Sequence, residues 1–495
     1  MSFFQRFLIF LFCIFSSQHA AAAIPVVDAA YRDSLIQQAA ELKLHEQRFW
    51  HLLLKYNQTP LGGFESEADG MAFFNSPEGK TDPAKELAAT LSSFFTDSAS
   101  LGKGQEHPQC DFPARYKWLN RHLKFDPDHL PRQACDRLER WRAILDPAGV
   151  TVVFASHFLN NPASMFGHTL LRVDSKRSGG DKKLLNYGAN YAAKPDTENA
   201  VLYALKGLVG LFQGQFTIFP YYTKVQEYNN WESRDLWEYE LNFTEDQLDT
   251  LLLHLWELGG TFFQYYYFQE NCSYHILSLL EVANPDLHLR EQFFFSVIPA
   301  DTVKALIPEE GLVKKVVYRP AVLSQMNQKR AQMSEEEKRV LAAVVTDPEL
   351  IEKVAFQARP VESQALILDA YLDYLQYKSM QAKSGGGPAG LSRSVLLARS
   401  RLNHVRESGP AATFSTPPHL GHGADRLRIG LGHNEHELFQ EIAYRPAYHD
   451  LLAKDIGYAR DSEIIFLDFR FRYYDETDRF TLDRAELLGI TSLNA

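Results

Sequence analysis

The first long pattern along the chain is helical. Between Asp28 and Tyr56 the residues Leu35, Ala39, Leu42, Phe49, Leu52 and Leu53 fall near one face, with polar residues between them, as on an amphipathic helix. Pro60 and Gly62-Gly63 end it. Helices are also predicted over Ala84–Phe95 and Gln133–Leu145. At Gly149 the period changes from helical to extended. Thr151–Ala155 is a β-branched, apolar run, and His168–Asp174, Lys183–Ala189 and the alternating Trp237–Leu241 follow as strands. Thr244 caps the next helix, with Glu245 and Asp246 in its first turn and Leu248, Leu251, Leu252 and Leu255 as its apolar stripe. Phe262–Phe268 reads as a short aromatic strand or turn in the core. Asn271, a strong N-cap type, then opens a helix on which Ile276, Leu279, Leu280 and Ala283 recur.

Residues 300–382 read as mostly helical, and Ser384-Gly-Gly-Gly-Pro388 has the composition of a linker. Beyond residue 420 the period is two. Leu427, Ile429 and Leu431 alternate with Arg426, Arg428 and Gly430, and Ile465 to Tyr473 alternates in the same way. One apolar and one charged face suit a half-buried sheet or a membrane barrel with a polar lumen. Only three or four such strands fit before Ala495, whereas a lone membrane barrel needs about eight. The β domain is therefore expected to be incomplete, with an unpaired edge.

The beginning of the chain adds a compartment. A single positive charge at Arg6 precedes the apolar run Phe7–Phe15, and Ala20 to Ala23 offer small residues for cleavage. This is the pattern of a secretory signal peptide, too short in its apolar part to span a bilayer. Cys13 lies inside the apolar run after Phe12, where a lipidation site needs a small residue. The expected plan is a signal peptide over 1–23, a helical region over 24–147, a mixed domain over 148–290, a helical region over 291–383, a linker over 384–419 and a β domain over 420–495. The class is α+β. A net charge of −11 disfavours nucleic acid, whose phosphates need a basic surface. No histidine or carboxylate cluster has metal-ligand spacing, so neither metal nor cofactor is expected.

Export also changes what the cysteines mean. With Cys13 removed, Cys110, Cys135 and Cys272 remain. Cys110 and Cys135 share one segment and are the expected disulfide. Cys272 is left over. A lone cysteine is often a small buried hydrophobe, yet this one sits in the first turn of a capped helix, where N–H groups and the macrodipole stabilise a thiolate. A thiolate of this kind needs a base. His168 begins a strand after the loop Asn160–Gly167, a position from which its ring can face a helix start. His275, on the same helix as Cys272, is a weaker base candidate that would modulate the thiol. His157 lies in a different turn. Glu232, Arg234 and Asp235 read as an ion-paired strand start rather than a site.

The blocks Asn161-Pro-Ala-Ser-Met-Phe-Gly-His-Thr169 and Glu270-Asn-Cys-Ser-Tyr274, with Phe219–Tyr228 and Glu232–Tyr239 between them, resemble the periplasmic domain family named for Lnb, a bacterial lipoprotein N-acyltransferase. The likeness covers about residues 115–285. Pro417–Gly423 with Tyr444–Tyr448 looks like the β domain that follows it in many members. The order, His on an early strand and Cys at a later helix start, also resembles the circularly permuted papain-like fold. The resemblance implies a Cys–His acyl-transfer site with Cys272 as nucleophile and His168 as base. Backbone N–H groups at the helix start would hold the oxyanion, and a third, orienting group would be Asn186, with Asn271 and Ser273 in support. It further implies a phospholipid acyl donor, a lipoprotein acceptor, and a periplasmic protein associated with the outer membrane through its β domain. Two other readings stay open: a cysteine peptidase or amidase acting on cell-wall peptide, since the same dyad serves both chemistries, and a non-catalytic envelope protein.

Overall fold

The apolar stripes and caps read above set the helices, and the change of period sets the sheets. In the computed structural model, residues 28–157, 165–178, 180–197, 199–381, 389–404, 416–458 and 461–493 are described. The expected signal peptide over 1–23 and residues 158–164 lie outside them. The N-terminal region holds helices Ala29–Glu41, Arg48–Leu54, Pro83–Ser93, Pro113–Leu123 and Asp136–Leu145. The single helix expected over 28–56 is thus broken in two, where Lys43 takes a left-handed conformation. A small hairpin, β1 (Tyr56–Gln58) and β2 (Phe64–Ser66), follows. Cys110 and Cys135 form a disulfide, and Cys272 is free and buried.

The central sheet contains β3 (Pro147–Ala155), β4 (His168–Ser175), β5 (Tyr187–Lys194), β6 (Phe212–Pro220), β7 (Leu236–Leu241), β8 (Phe263–Tyr265) and β9 (Val313–Arg319). Its order is β8-β6-β5-β4-β3-β7-β9, antiparallel throughout. Helices Glu245–Leu258 and Cys272–Ala283 pack together, and the second lies against β4 and β5. One continuous apolar core joins the N-terminal helices to this sheet, from Leu35 through Trp50 and Leu119 to Leu171 and Leu280. The N-terminal region is therefore a wall of the central domain. Arg115, fully buried, ties the two by pairing with Glu86 and Glu257.

Three features differ from the expected elements. The third strand starts at Tyr187, because Gly180–Leu185 forms a tight 3₁₀ turn. β9 lies in a stretch expected to be helical, and its Val316 and Tyr318 pack against the core as it pairs with β7. The span 384–419, expected to be a linker, contains helix Ala389–Ser400, whose Val395 is buried in a separate small core with Val344, Leu368 and Tyr371; residues 382–388, which hold the Ser384–Pro388 stretch, and 405–415 lie outside the described ones. Among the described residues, no helix is long and apolar enough to cross a membrane.

The C-terminal sheet has five strands rather than three or four: β10 (Arg426–His433), β11 (Leu438–Arg445), β12 (Ala447–His449), β13 (Ser462–Tyr474) and β14 (Arg479–Ser492). β10 pairs β11, β11 pairs β13, β12 lies beside the start of β13, and β14 takes the other side of β13. The sheet is open, with β10 and β14 each paired on one side only. Phe166 and Phe268 of the central domain stack on its Phe466 and Tyr448.

Candidate active site

Cys272 and His168 are brought together from elements 104 residues apart (272 − 168). Asn271 caps helix Cys272–Ala283 as its sequence requires: its Oδ1 accepts from the N–H groups of Ser273 at 3.0 Å and Tyr274 at 3.2 Å. Its Nδ2 donates to the carbonyls of Tyr267 and Val297, which fixes the cap against two loops. Cys272 is therefore held in the first helical turn, 2% exposed. His168 is placed by Gly167. That glycine adopts φ +97, and a Cβ on it would come within 2.5 Å of the Phe154 ring. Only glycine lets the chain turn there against β3 and deliver His168 to the edge of the core.

The imidazole is oriented by Asn190. His168 Nε2–H donates to Asn190 Oδ1 at 2.6 Å, with both side chains buried. Nδ1 is then the ring nitrogen left to meet the thiol. The two residues share a face of neighbouring strands, diagonal to one another in the β4–β5 register. Asn186 is elsewhere. Its Nδ2 donates to Asp174, and its Oδ1 accepts from Ser175 N–H and from the Ser178 hydroxyl. It pins the turn after β4 and does not reach the imidazole network. The signal that separates Asn190 from Asn186 is strand register.

Burial by itself raises the pKa of the Cys272 thiol. The adjacent His168, by its charge and its hydrogen bond, then the Thr169 N–H and Ser273, outweigh burial and bring it down to about 7. Ser273 Oγ lies 3.9 Å from the sulfur and donates to Thr169 Oγ1 at 2.9 Å, tying the helix start to β4. Tyr265 closes the other side, with its phenol beside Cys272. Burial, then Cys272 and Tyr191, push its phenol pKa well up, so it remains a donor. Asn271 already accepts from the Ser273 and Tyr274 N–H groups, so at the helix start the Cys272 N–H and the Tyr265 hydroxyl are the donors a bound group would meet. Tyr265 was legible in the sequence only as a core aromatic.

His275 does not act on the thiol. Its ring packs 4.1 Å from Tyr191 and 4.5 Å from Phe263, and neither nitrogen has a hydrogen-bond partner among the described residues. Burial, with Lys55 and Arg290 nearby, lowers its pKa well below the ordinary value, so it is a neutral core residue. Arg234 pairs with Glu232 at 2.9 Å and donates to the carbonyls of Ala155 and Ser156, which makes that group structural. A cavity of about 330 Å³ lined by Glu67, Asp69, Lys80 and Glu270 lies beside the loop before the nucleophile, and another of about 410 Å³ lies between Phe73 and Trp256; neither is lined by Cys272 or His168. Among the described residues no group of three or more His, Cys, Asp or Glu is placed to hold a metal.

Residues 137–309, which contain this site, match the family model of the Lnb N-terminal periplasmic domain. This segment is a periplasmic domain of the Lnb type. Three other segments match models described only as domains of unknown function: 42–122, which covers much of the N-terminal helical wall, 316–411, which takes in the second core, and 415–495, the open sheet. The search of curated proteins and that of solved structures gave no match. The Lnb-type segment runs past residue 290 to include helix Pro299–Lys304, whose Ala300 and Val303 are buried in the common core.

The lowered thiol pKa has a direct consequence. Alkylation of Cys272 by iodoacetamide should rise with pH and reach half its maximum near pH 7, because only the thiolate reacts. In Asn190→Ala the imidazole is no longer oriented, and in His168→Ala it is absent, so both profiles should move to higher pH. Mass spectrometry of the Cys272 peptide reads the extent of reaction. Identical profiles for all three proteins would remove His168 from the thiol's environment.

Proposed function

We propose that the protein is a cell-envelope thiol acyltransferase that takes its acyl group from a phospholipid and passes it to the amino group of a lipoprotein. The observation that carries this reading is the buried series Cys272, His168, Asn190 at a capped helix start. The Lnb-type periplasmic domain in which it lies supports the choice of chemistry.

In the first half-reaction the Cys272 proton passes to His168 Nδ1, and the thiolate attacks the ester carbonyl of the phospholipid. The developing oxyanion takes hydrogen bonds from the Cys272 N–H and the Tyr265 hydroxyl. The ester C–O bond breaks, the leaving alkoxide takes the proton from the imidazolium, and a lysophospholipid departs. In the second half-reaction the acceptor amine attacks the thioester and gives its proton to His168. The thiolate leaves and is reprotonated, and an amide is formed. Cys272 is nearly inaccessible in this structure, so neighbouring side chains must move apart to admit substrate. Outer-membrane association belongs to the same proposal, since a lipid donor requires a lipid surface.

Incubation with phospholipid vesicles should add an acyl mass to the peptide bearing Cys272, and neutral hydroxylamine should remove it, as expected of a thioester. A peptidase would leave that peptide free of lipid and cleave envelope peptides in a Cys272-dependent way, which would overturn the acyl-transfer reading while keeping the dyad.

A further inference from the structure

The C-terminal sheet is built inside out relative to a sheet that covers a soluble core. From the strand register, Leu427, Ile429, Leu431, Ile442, Phe471 and Leu482 share one face. That face looks outward: Ile429 is 78% and Leu431 86% exposed. The other face carries the charges. Glu441 takes Arg428, Arg470 and Arg472, and Arg472 also pairs with Asp483. These charged side chains are the sheltered ones, with Glu441 11% and Arg472 22% exposed. In a soluble antiparallel sheet the apolar face is covered and the charged face meets water. An apolar exterior over a polar, ion-paired interior is the arrangement of membrane sheets.

We infer that this apolar face lies against the acyl chains of a lipid bilayer. Strand length favours lipid over a second protein. β13 has 13 residues and β14 has 14, where about 9–11 residues suffice to cross the hydrocarbon core at the usual tilt and a typical soluble strand has about 5–6. The chemistry of the face also fits, since no charged side chain interrupts the rows formed by these six residues and Tyr444, Phe469 and Tyr473. A patch of this kind exceeds the scattered apolar residues normal on a monomer surface. The face continues into the central domain: Phe295 packs 5.7 Å from Tyr444, and Phe294 beside it is 89% exposed. Two residues on, Val297 donates to Phe268 O and accepts from the Asn271 side chain that caps the nucleophile helix. Lipid contact at this face therefore sets Cys272 close to a bilayer surface. The inference deepens the proposed use of a phospholipid donor, and its test reads binding without catalysis.

The full chain carrying Cys272→Ala is mixed with phosphatidylethanolamine–phosphatidylglycerol vesicles and floated on a density gradient, in low salt and in 1 M salt. It should float in both, because apolar contact is not screened. Ile429→Glu with Leu431→Glu should lower the vesicle-bound fraction at least tenfold, with an unchanged near-ultraviolet dichroism spectrum. As a second measurement, a bimane label on Ile429→Cys in the same background should shift to the blue with vesicles and be quenched by spin-labelled acyl chains. A chain that stays at the bottom of the gradient, an unaffected double-glutamate variant, or an unquenched label would each overturn the inference. So would light scattering that shows a vesicle-free dimer split by the same two substitutions, which would assign the face to a second copy. An unmodified Cys272 in the parent chain after incubation with the same vesicles, with flotation intact, would count against the proposed chemistry alone.

Discussion

Cys272→Ala should lower the proposed acyl transfer by about 10⁴-fold or more, the usual scale for loss of a nucleophile that works with a base. His168→Ala should do nearly the same, and the double variant should be little worse than either single one, since the two residues act as a unit. Cys272→Ser should fare almost as badly as alanine. A hydroxyl is far weaker as an acid than a thiol, and the His168 contact that brings the thiol down to about 7 cannot produce an alkoxide at neutral pH. Tyr265→Phe should cost about 10²-fold in the acylation rate, as loss of one oxyanion donor does, while leaving the hydroxylamine-sensitive adduct on the same peptide. Single-turnover acylation with a labelled phospholipid measures all five. The folds should survive, because Cys272 and His168 sit at the ends of their elements. Full activity in both the cysteine and the histidine variants would sink the catalytic reading and favour a non-catalytic envelope protein.

The second large effect concerns the sheet beneath the site. Arg172 on β4 is fully buried and pairs with Glu238 on β7 at 2.5 Å and with Asp174 at 2.6 Å. It also donates to Thr151, while Tyr221 and Arg319 bond the other Glu238 oxygen. Arg172→Met leaves the Glu238 carboxylate, itself 0% exposed, with one cation fewer. Breaking a buried pair from one side costs about 3–5 kcal/mol. Arg319 remains, so a loss near the lower end is expected, read as a drop in the urea midpoint. Removing both charges in Arg172→Met with Glu238→Met should restore a good part of it, since the isolated carboxylate is the main source of the cost. A midpoint unchanged in the single variant would show that the pair does not hold the sheet.

The unequal legibility of the residues of the candidate site has a physical cause. Cys272 could be placed on sight because its position depends on local chemistry alone: an Asn cap, a first turn, and an apolar stripe recurring three and four residues on. The start of β4 at His168 and the pairing of Cys110 with Cys135 were legible for related reasons, a mostly apolar run after a loop ending in glycine in one case and cysteine count in an exported chain in the other. The third residue was not. Asn186 and Asn190 lie on the same stretch, and choosing between them requires the β4–β5 register, which is a contact between strands rather than a property of either. Tyr265 was hidden in the same way, since alternation marks it as inward without saying what it meets.

Larger features divide along that line. The helices, the central strands, the period of the C-terminal sheet and hence the α+β class follow from side-chain spacing and capping, whose energies act within a few residues. The common core of the N-terminal wall and the central sheet, and the recruitment of β9 to β7 across a separation of 72 residues (313 − 241, Val313 beside Leu241), follow from packing between distant segments. So do the burial of helix Ala389–Ser400 and the sense in which the C-terminal sheet is turned. Alternation announced one apolar and one charged face on β10 and β13. Only the tertiary structure decided that the charged face is sheltered by its own ion pairs while the apolar one is left outside, because facing depends on what each side of the sheet has to pack against.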